Sequence, residues 1–323
     1  MSTLRLVMLG TGTFAEPIFR ALLGQARHSV VGLVTQPSNE IGAVRGSTRQ
    51  TGVGMAELAR QTGVEVYQPE SINTPEGVAR IQEWKADLLV TAAYGQILKA
   101  EVLQATPLGG INVHGSLLPK YRGAAPVAWA IARGESETGI TIIRMSTGVD
   151  AGEMLAKGKL EIQPHETSGE VEARLAQLGA SLVVDVIDQL GSGPVVGEKQ
   201  DLSQVTKAPK LTKEHGAIDW SKPANEIACL VRAMQPWPTA YTYLHRAGHE
   251  PLRLIILKSE SASGSFGPSG VLRVSSDAKT IEVATGDGIL RVLELQPAGK
   301  KRMLAQAFMN GHPLHEGDRF SPV

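Results

Sequence analysis

Apolar and polar positions follow two alternating rhythms along the first half of the chain. Compact aliphatic runs at residues 4–9, 29–35, 88–92 and 110–114 have the length of strands buried on both faces, and 138–145 is a further strand. Between them, residues 14–23, 54–62 and 74–83 repeat their apolar positions every three or four residues, which predicts amphipathic helices. This alternation predicts an α/β fold, an open, mostly parallel, Rossmann-like sheet with helices on both faces. Ligands of such a sheet sit beyond the carboxyl ends of its strands. A longer helix follows. Thr167 and Glu170 have the spacing of a capping box, and Val171, Leu175, Leu178, Leu182, Val186 and Leu190 form one stripe for the sheet to cover. The glycines at 191 and 193, with Pro194, predict its end.

The rhythm then stops. Residues 200–213 have no apolar period and carry Lys207, Lys210, Lys213 and Pro209, so they read as a linker. Beyond them a helix with Ile227, Leu230, Val231 and Met234 on one face precedes short strands at 240–244, 252–257, 270–274, 280–284 and 289–296. Short strands at this spacing, split by Gly, Ser and Asp turns, predict a smaller C-terminal β-barrel of OB-like type. The expected organisation is therefore a domain over 1–199, a linker over 200–213 and a second domain over 214–323.

Composition adds limits. The 323 residues are enough for two cores, and 42% of them are apolar. Lys plus Arg equals Asp plus Glu at 32 each, so bulk charge names no partner. From Lys210 onward there are 14 basic and 11 acidic residues, a slight basic excess that suits a binding domain. A single cysteine, Cys229, excludes internal disulfides and Cys-rich metal sites, and reads as an inert thiol. The pairs His245/His249 and His312/His315 lack a third ligand and read as surface histidines, so no metal is expected. No secretory signal and no membrane span is visible, so the expected compartment is the cytoplasm.

Two stretches carry candidate chemistry. The first, from Gly10 to Ala15, satisfies the glycine pattern of dinucleotide sites. That pattern also needs a carboxylate at the end of the second strand, where this chain has Val34, Thr35, Gln36 and Pro37. A tight strand-to-helix turn is the better reading, and a nicotinamide enzyme is not expected. The second stretch runs from Gly110 to Pro119. Alternate strand residues point the same way, so Asn112 and His114 share a face at the strand's end. Asp150 lies in a glycine-flanked loop after another strand. An amide donor, an imidazole and a carboxylate in one crevice suit acyl transfer to an amine. Each has a plainer reading, the His as structural and the Asp as a turn former, and spacing alone does not choose.

The run from Asn112 to Pro119, continuing through Lys120, Tyr121, Arg122, Gly123, Ala124, Ala125 and Pro126, resembles the signature of the folate-dependent formyltransferase family, in particular its branch acting on methionyl-tRNA. Similar segments recur at 137–141, 216–223, 236–238, 299–301, 305–306 and 310–311. The resemblance implies Asn112, His114 and Asp150 as catalytic residues, and Ser116, Leu117, Leu118 and Pro119 as the folate-binding segment, with the leucines as an apolar wall. Backbone at 88–92 and 94–97 would complete the slot. It implies 10-formyltetrahydrofolate as formyl donor, methionyl initiator tRNA as acceptor, no metal and a monomer. For tRNA it implies Arg45 and Arg49 in the loop after the second strand, and the basic residues Lys207, Lys210, Lys300, Lys301 and Arg302. The chain departs from the family in that loop, which lacks the denser Arg/Lys/Pro run, and at Gly12 and Thr13, where Pro and Asp are common. A formyltransferase for a small amine, a formylfolate hydrolase and a noncatalytic RNA-binding relative are the alternatives.

Overall fold

The computed structural model describes residues 2–37 and 53–321. The chain divides into two compact units, Met1–Val127 with Glu137–Ile162 and Gly169–Lys210, and Leu211–Val323 with Ala128–Ser136 and Gln163–Ser168.

Through residue 192 the elements run β1 (Arg5–Gly10), α1 (Ala15–Gly24), β2 (Ser29–Val34), α2 (Val53–Gln61), β3 (Glu65–Tyr67), α3 (Pro75–Glu83), β4 (Leu88–Ala92), α4 (Ala100–Leu103), β5 (Gly110–His114), α5 (Pro126–Ala132), β6 (Glu137–Arg144), β7 (Met154–Glu161) and α6 (Ser168–Ser192), all in the first unit except most of α5 and Ser168. The sheet order is β3-β2-β1-β4-β5-β6-β7. The first five strands are parallel, and β6 runs antiparallel to both β5 and β7. The order reverses between β1 and β4, which places a topological switch point there, one strand away from β5.

Burial explains why the pattern was readable. Leu6, Val7, Met8 and Leu9 of β1 and all five residues of β4 are buried, as central parallel strands require. Thr74 caps α3 by accepting from the Gly77 N–H at 3.1 Å, with Pro75 in the first turn. Two strands had no apolar run to announce them. β3 has only three residues, and the edge strand β7 alternates half-buried and exposed positions around Lys157 and Lys159. The stripe on α6 is also rotated from the expected one. Val183 and Ile187 are fully buried while Leu178 and Leu182 are half-buried. Gly179 marks the closest approach, since a Cβ there would lie 2.9 Å from the Val113 side chain and 3.6 Å from that of Ile140.

Leu9 has no exposed surface and packs with Val34, Ile72, Ile81 and Leu89. Leu9→Ala is expected to lower the unfolding free energy by about 2–5 kcal/mol, read by urea denaturation. The glycine turn after β1 has a packing role. A Cβ on Gly10 would lie 2.8 Å from the Ala15 Cβ and 2.9 Å from the Ala92 carbonyl oxygen. Thr35 stands where a ribose-binding carboxylate would be, and its hydroxyl lies 3.1 Å from that of Thr11. The Gln36 N–H also donates to Thr11 Oγ1, so the turn closes on its own side chains.

The second unit contains α7 (Ala224–Ala233), β8 (Ala240–His245), β9 (Leu252–Ala262), β10 (Leu272–Val274), β11 (Ile281–Ala284), β12 (Ile289–Pro297), β13 (Met303–Leu304), α8 (Ala305–Gly311) and β14 (Arg319–Ser321). Its antiparallel order is β10-β11-β12-β9-β8-β14. A bridge between Val271 and Arg319 joins the ends of that order into a nearly closed barrel. Leu244, Leu254, Ile256, Val283, Leu290, Val292 and Phe320 are buried within this unit. Trp220 packs on Phe320 with ring centroids 5.5 Å apart and donates its Nε1–H to Thr242 Oγ1 at 2.9 Å.

Candidate active site

The polar set of the first unit is assembled on β5. Asn112 and His114 share a face of this strand, and the side chain of His114 is 5% exposed. Each is oriented by one neighbour. Thr91, on β4, has one hydroxyl hydrogen that is shared between the Ile111 carbonyl at 2.9 Å and Asn112 Oδ1 at 3.1 Å. This turns the Asn112 amide nitrogen toward Asp150, to whose Oδ1 it donates at 3.3 Å. The amide's second hydrogen has no partner among the described residues.

His114 Nε2 lies 2.9 Å from the Tyr121 carbonyl oxygen. A carbonyl only accepts, so Nε2 carries the proton and Nδ1 is the nitrogen free to gain or lose one. Nδ1 faces Asp150 Oδ2 at 3.5 Å. Protonation there would aim a charged N–H at the carboxylate. The same Oδ2 accepts the Gly123 N–H at 2.9 Å, and the Asp150 side chain is 13% exposed.

The route by which Asp150 arrives differs from the parallel-strand expectation. β6 is antiparallel to β5, so its end at Arg144 lies beside Ile111, and the Met145 N–H donates to the Gly110 carbonyl at 2.7 Å. The loop 146–152 leaves from the amino-terminal side of β5 and folds back over the strand. Two backbone features hold it there. Asp150 has φ +46°, a left-handed conformation that costs a non-glycine residue about 1–3 kcal/mol and persists only where surrounding contacts require it. Gly152 is needed because a Cβ would fall 1.7 Å from the Arg144 carbonyl oxygen.

The segment after β5 is held inward. Thr141, facing His114 across the strand pair, donates its hydroxyl to the Ser116 carbonyl at 2.7 Å and accepts the Leu118 N–H at 3.0 Å. Ser116 is fully buried and donates to the Lys120 carbonyl. Leu118 is buried against Ile143 and Met154, and Leu117 packs over Gly139. Ser116 and Leu118 therefore turn their side chains into the protein, which leaves backbone and the half-buried Leu117 and Pro119 as this segment's outward surface. Apolar surface is present on nearby loops, at Ile97 after β4 and at Val149 beside Asp150, which are 65% and 51% exposed.

Residues 200–208 have no apolar period because polar contacts hold them. The Tyr121 N–H donates to Thr206 Oγ1 at 2.8 Å, the Arg122 N–H to the Thr206 carbonyl, and the Ala208 N–H to the Arg122 carbonyl. Thr91, Gln200 and Thr206 thus support the set without having been expected to. Thr91 was detectable as the one hydroxyl in the apolar run 88–92; Gln200 and Thr206 had no signal. Lys207 and Lys210 are exposed on the first unit, and Lys300, Lys301 and Arg302 on the second. Arg45 and Arg49 lie outside the described residues. No described helix is long and apolar enough to cross a membrane, and no described group of three or more His, Cys, Asp or Glu could hold a metal ion.

A mostly parallel α/β sheet with an amide and an imidazole on one strand, met by a loop carboxylate, has the parts of a group-transfer enzyme. The family described as formyl transferase matches residues 4–187, and its C-terminal domain matches residues 210–313. The chain belongs to the formyl transferase family. A methionyl-tRNA formyltransferase of Solibacter usitatus is 44% identical over 316 residues, covering 98% of each chain. One from Trichlorobacter lovleyi is 42% identical over 322 residues, covering 100% of this chain and 98% of its own. Among solved structures, an N-formyltransferase from Helicobacter canadensis in complex with folinic acid and dTDP-3-aminofucose has a TM-score of 0.63 at 16% identity, covering 90% of this chain and 99% of that one. Glycinamide ribonucleotide transformylase 1 from Symbiobacterium toebii has a TM-score of 0.51 at 21% identity, covering 62% of this chain and 95% of that one. The last two likenesses concern the fold.

Proposed function

We propose that the chain transfers the formyl group of 10-formyltetrahydrofolate to the amino group of methionine carried by initiator tRNA. The observation that carries this reading is similarity across both units, at 44% identity, to relatives named methionyl-tRNA formyltransferase. The amine attacks the formyl carbon, a C–N bond forms, and the carbonyl oxygen becomes an alkoxide. The uncommitted Asn112 hydrogen is the donor that meets this oxygen, and a protonated His114 opposes its charge electrostatically. The bond to the folate nitrogen then breaks. The proton lost by the attacking amine passes through the His114–Asp150 pair to that nitrogen, so the products are formyl-methionyl-tRNA and tetrahydrofolate.

Backbone of the 116–119 segment, with the apolar surface of Ile97 and Val149, suits a flat heterocycle. Arg45, Arg49, Lys207, Lys210, Lys300, Lys301 and Arg302 are the proposed phosphate contacts, so tRNA binding should weaken steeply with salt. The same reading makes the protein a cytoplasmic monomer that needs no metal.

The test is formyl transfer from 10-formyltetrahydrofolate, with methionyl initiator tRNA, free methionine and glycinamide ribonucleotide as parallel acceptors. Turnover with the charged tRNA alone is the expected result. Turnover only with a small amine or with water would remove the tRNA reading and keep the chemistry.

A further inference from the structure

Gln200 follows the last long helix and belongs to no apolar stripe, yet its side chain joins the backbone of residues 150–152 to the Arg122 guanidinium. Its Nε2 donates to the Asp150 carbonyl and to the Gly152 carbonyl, each at 2.8 Å. Its Oε1 accepts from Arg122 Nε at 3.0 Å and from Arg122 Nη2 at 2.7 Å. Both hydrogens and both lone pairs of one amide are therefore committed. The assignment of oxygen and nitrogen follows from chemistry, because carbonyls only accept and a guanidinium only donates.

The position of Gln200 is itself fixed. Two residues before it, Glu198 exchanges backbone hydrogen bonds with Met154 at 2.8 and 2.9 Å. After it, Thr206 and Ala208 bond to the backbone of Arg122, and a Cβ on Gly123 would lie 2.5 Å from the Ala208 carbonyl oxygen. The amide thus reaches from an anchored stretch of chain to the two carbonyls that follow the left-handed Cα of Asp150 in the 150–152 turn. On the far side of that turn the Asp150 carboxylate meets Asn112, His114 and Gly123.

We infer that Gln200 is a positioning residue for Asp150: its side-chain amide holds the backbone of the 150–152 turn so that the carboxylate faces His114, and it ties that turn to Arg122. The effect on rate rests on the formyl-transfer reading, and the effect on the loop rests on geometry alone. Glutamine is the side chain the position calls for. Glutamate would keep the pair with Arg122 but would place an oxygen against two carbonyls. Alanine would lose all four bonds.

The experiment compares Gln200→Glu and Gln200→Ala in the full-length protein. Three quantities are read: kcat and KM for methionyl-tRNA, the thermal unfolding midpoint, and amide hydrogen exchange of residues 146–155. Both variants are expected to lose about 10- to 100-fold in kcat, as a displaced catalytic group does, with KM little changed and the unfolding midpoint lowered but still well above the assay temperature. Exchange across 146–155 should quicken in both. A wild-type kcat in Gln200→Glu would overturn the inference, because that variant removes the bonds to the loop and spares the one to Arg122. Unchanged exchange in both variants would overturn it as well. Faster exchange in a chain whose wild type transfers no formyl group would remove the formyl-transfer reading and keep the positioning of Asp150.

Discussion

His114→Ala is expected to lower kcat for formyl transfer by about 100- to 10,000-fold while folate and tRNA binding are largely kept, the range for removal of a positioned acid–base group. The argument is geometric. Nε2–H is committed to the Tyr121 carbonyl, so proton transfer falls to Nδ1, which faces Asp150 Oδ2 at 3.5 Å. Alanine also leaves the Tyr121 carbonyl without its donor, which costs about 1–3 kcal/mol of stability when such a group is buried. His114→Gln separates the two effects, since a glutamine amide can still donate to that carbonyl. Single-turnover formylation with saturating folate donor and charged tRNA reads the chemistry directly. A near-wild-type rate in a folded His114→Gln protein would remove His114 from the mechanism.

Asn112→Ala is expected to cost about 100- to 1,000-fold in kcat, roughly 3–4 kcal/mol, as loss of one oxyanion donor does. KM for the tRNA should hold, because the interaction strengthens only as charge develops on the formyl oxygen. Asn112→Asp should be no more active. It would place a second carboxylate 3.3 Å from Asp150 Oδ1, and two such groups cannot both ionise, so one is forced to hold a proton. Thr91→Val should reach part of the same loss, since the Thr91 hydroxyl is what turns the Asn112 amide toward the site. A kcat for Asn112→Ala within a few-fold of wild type would exclude the oxyanion role.

The resemblance of the run 112–126 pointed to Asn112, His114 and Asp150 from sequence, and the structure shows how different the grounds for each were. Asn112 and His114 follow from a period of two along a single strand, which is local information. Asp150 is 38 residues from Asn112, and its arrival depends on a strand that runs the other way. The short hydrophobic run 138–145 reads the same in either direction, so nothing in the pattern distinguishes a parallel from an antiparallel neighbour. The leucines at 117 and 118 illustrate the same limit. Both are apolar next to a candidate site, and what packs against each decides its place: Leu118 is buried against Ile143 and Met154, while Leu117, over Gly139, stays half-buried.

The sequence alone determined the central strands, the longer helices and their chemistry-bearing face. Central strands announced themselves because burial on both sides demands unbroken aliphatic runs, the helices because one buried face demands a three- to four-residue period, and most barrel strands because turns demand Gly, Ser and Asp. The tertiary structure decided the hand-to-hand contacts: the tautomer of His114 through the Tyr121 carbonyl, the left-handed turn at Asp150, and the service of Thr91, Gln200 and Thr206. The physical reason is range. A hydrophobic stripe is a property of neighbours along the chain, whereas a polar residue takes its role from whichever donor or acceptor the fold brings to it, and for Gln200 those partners lie 48 to 78 residues away.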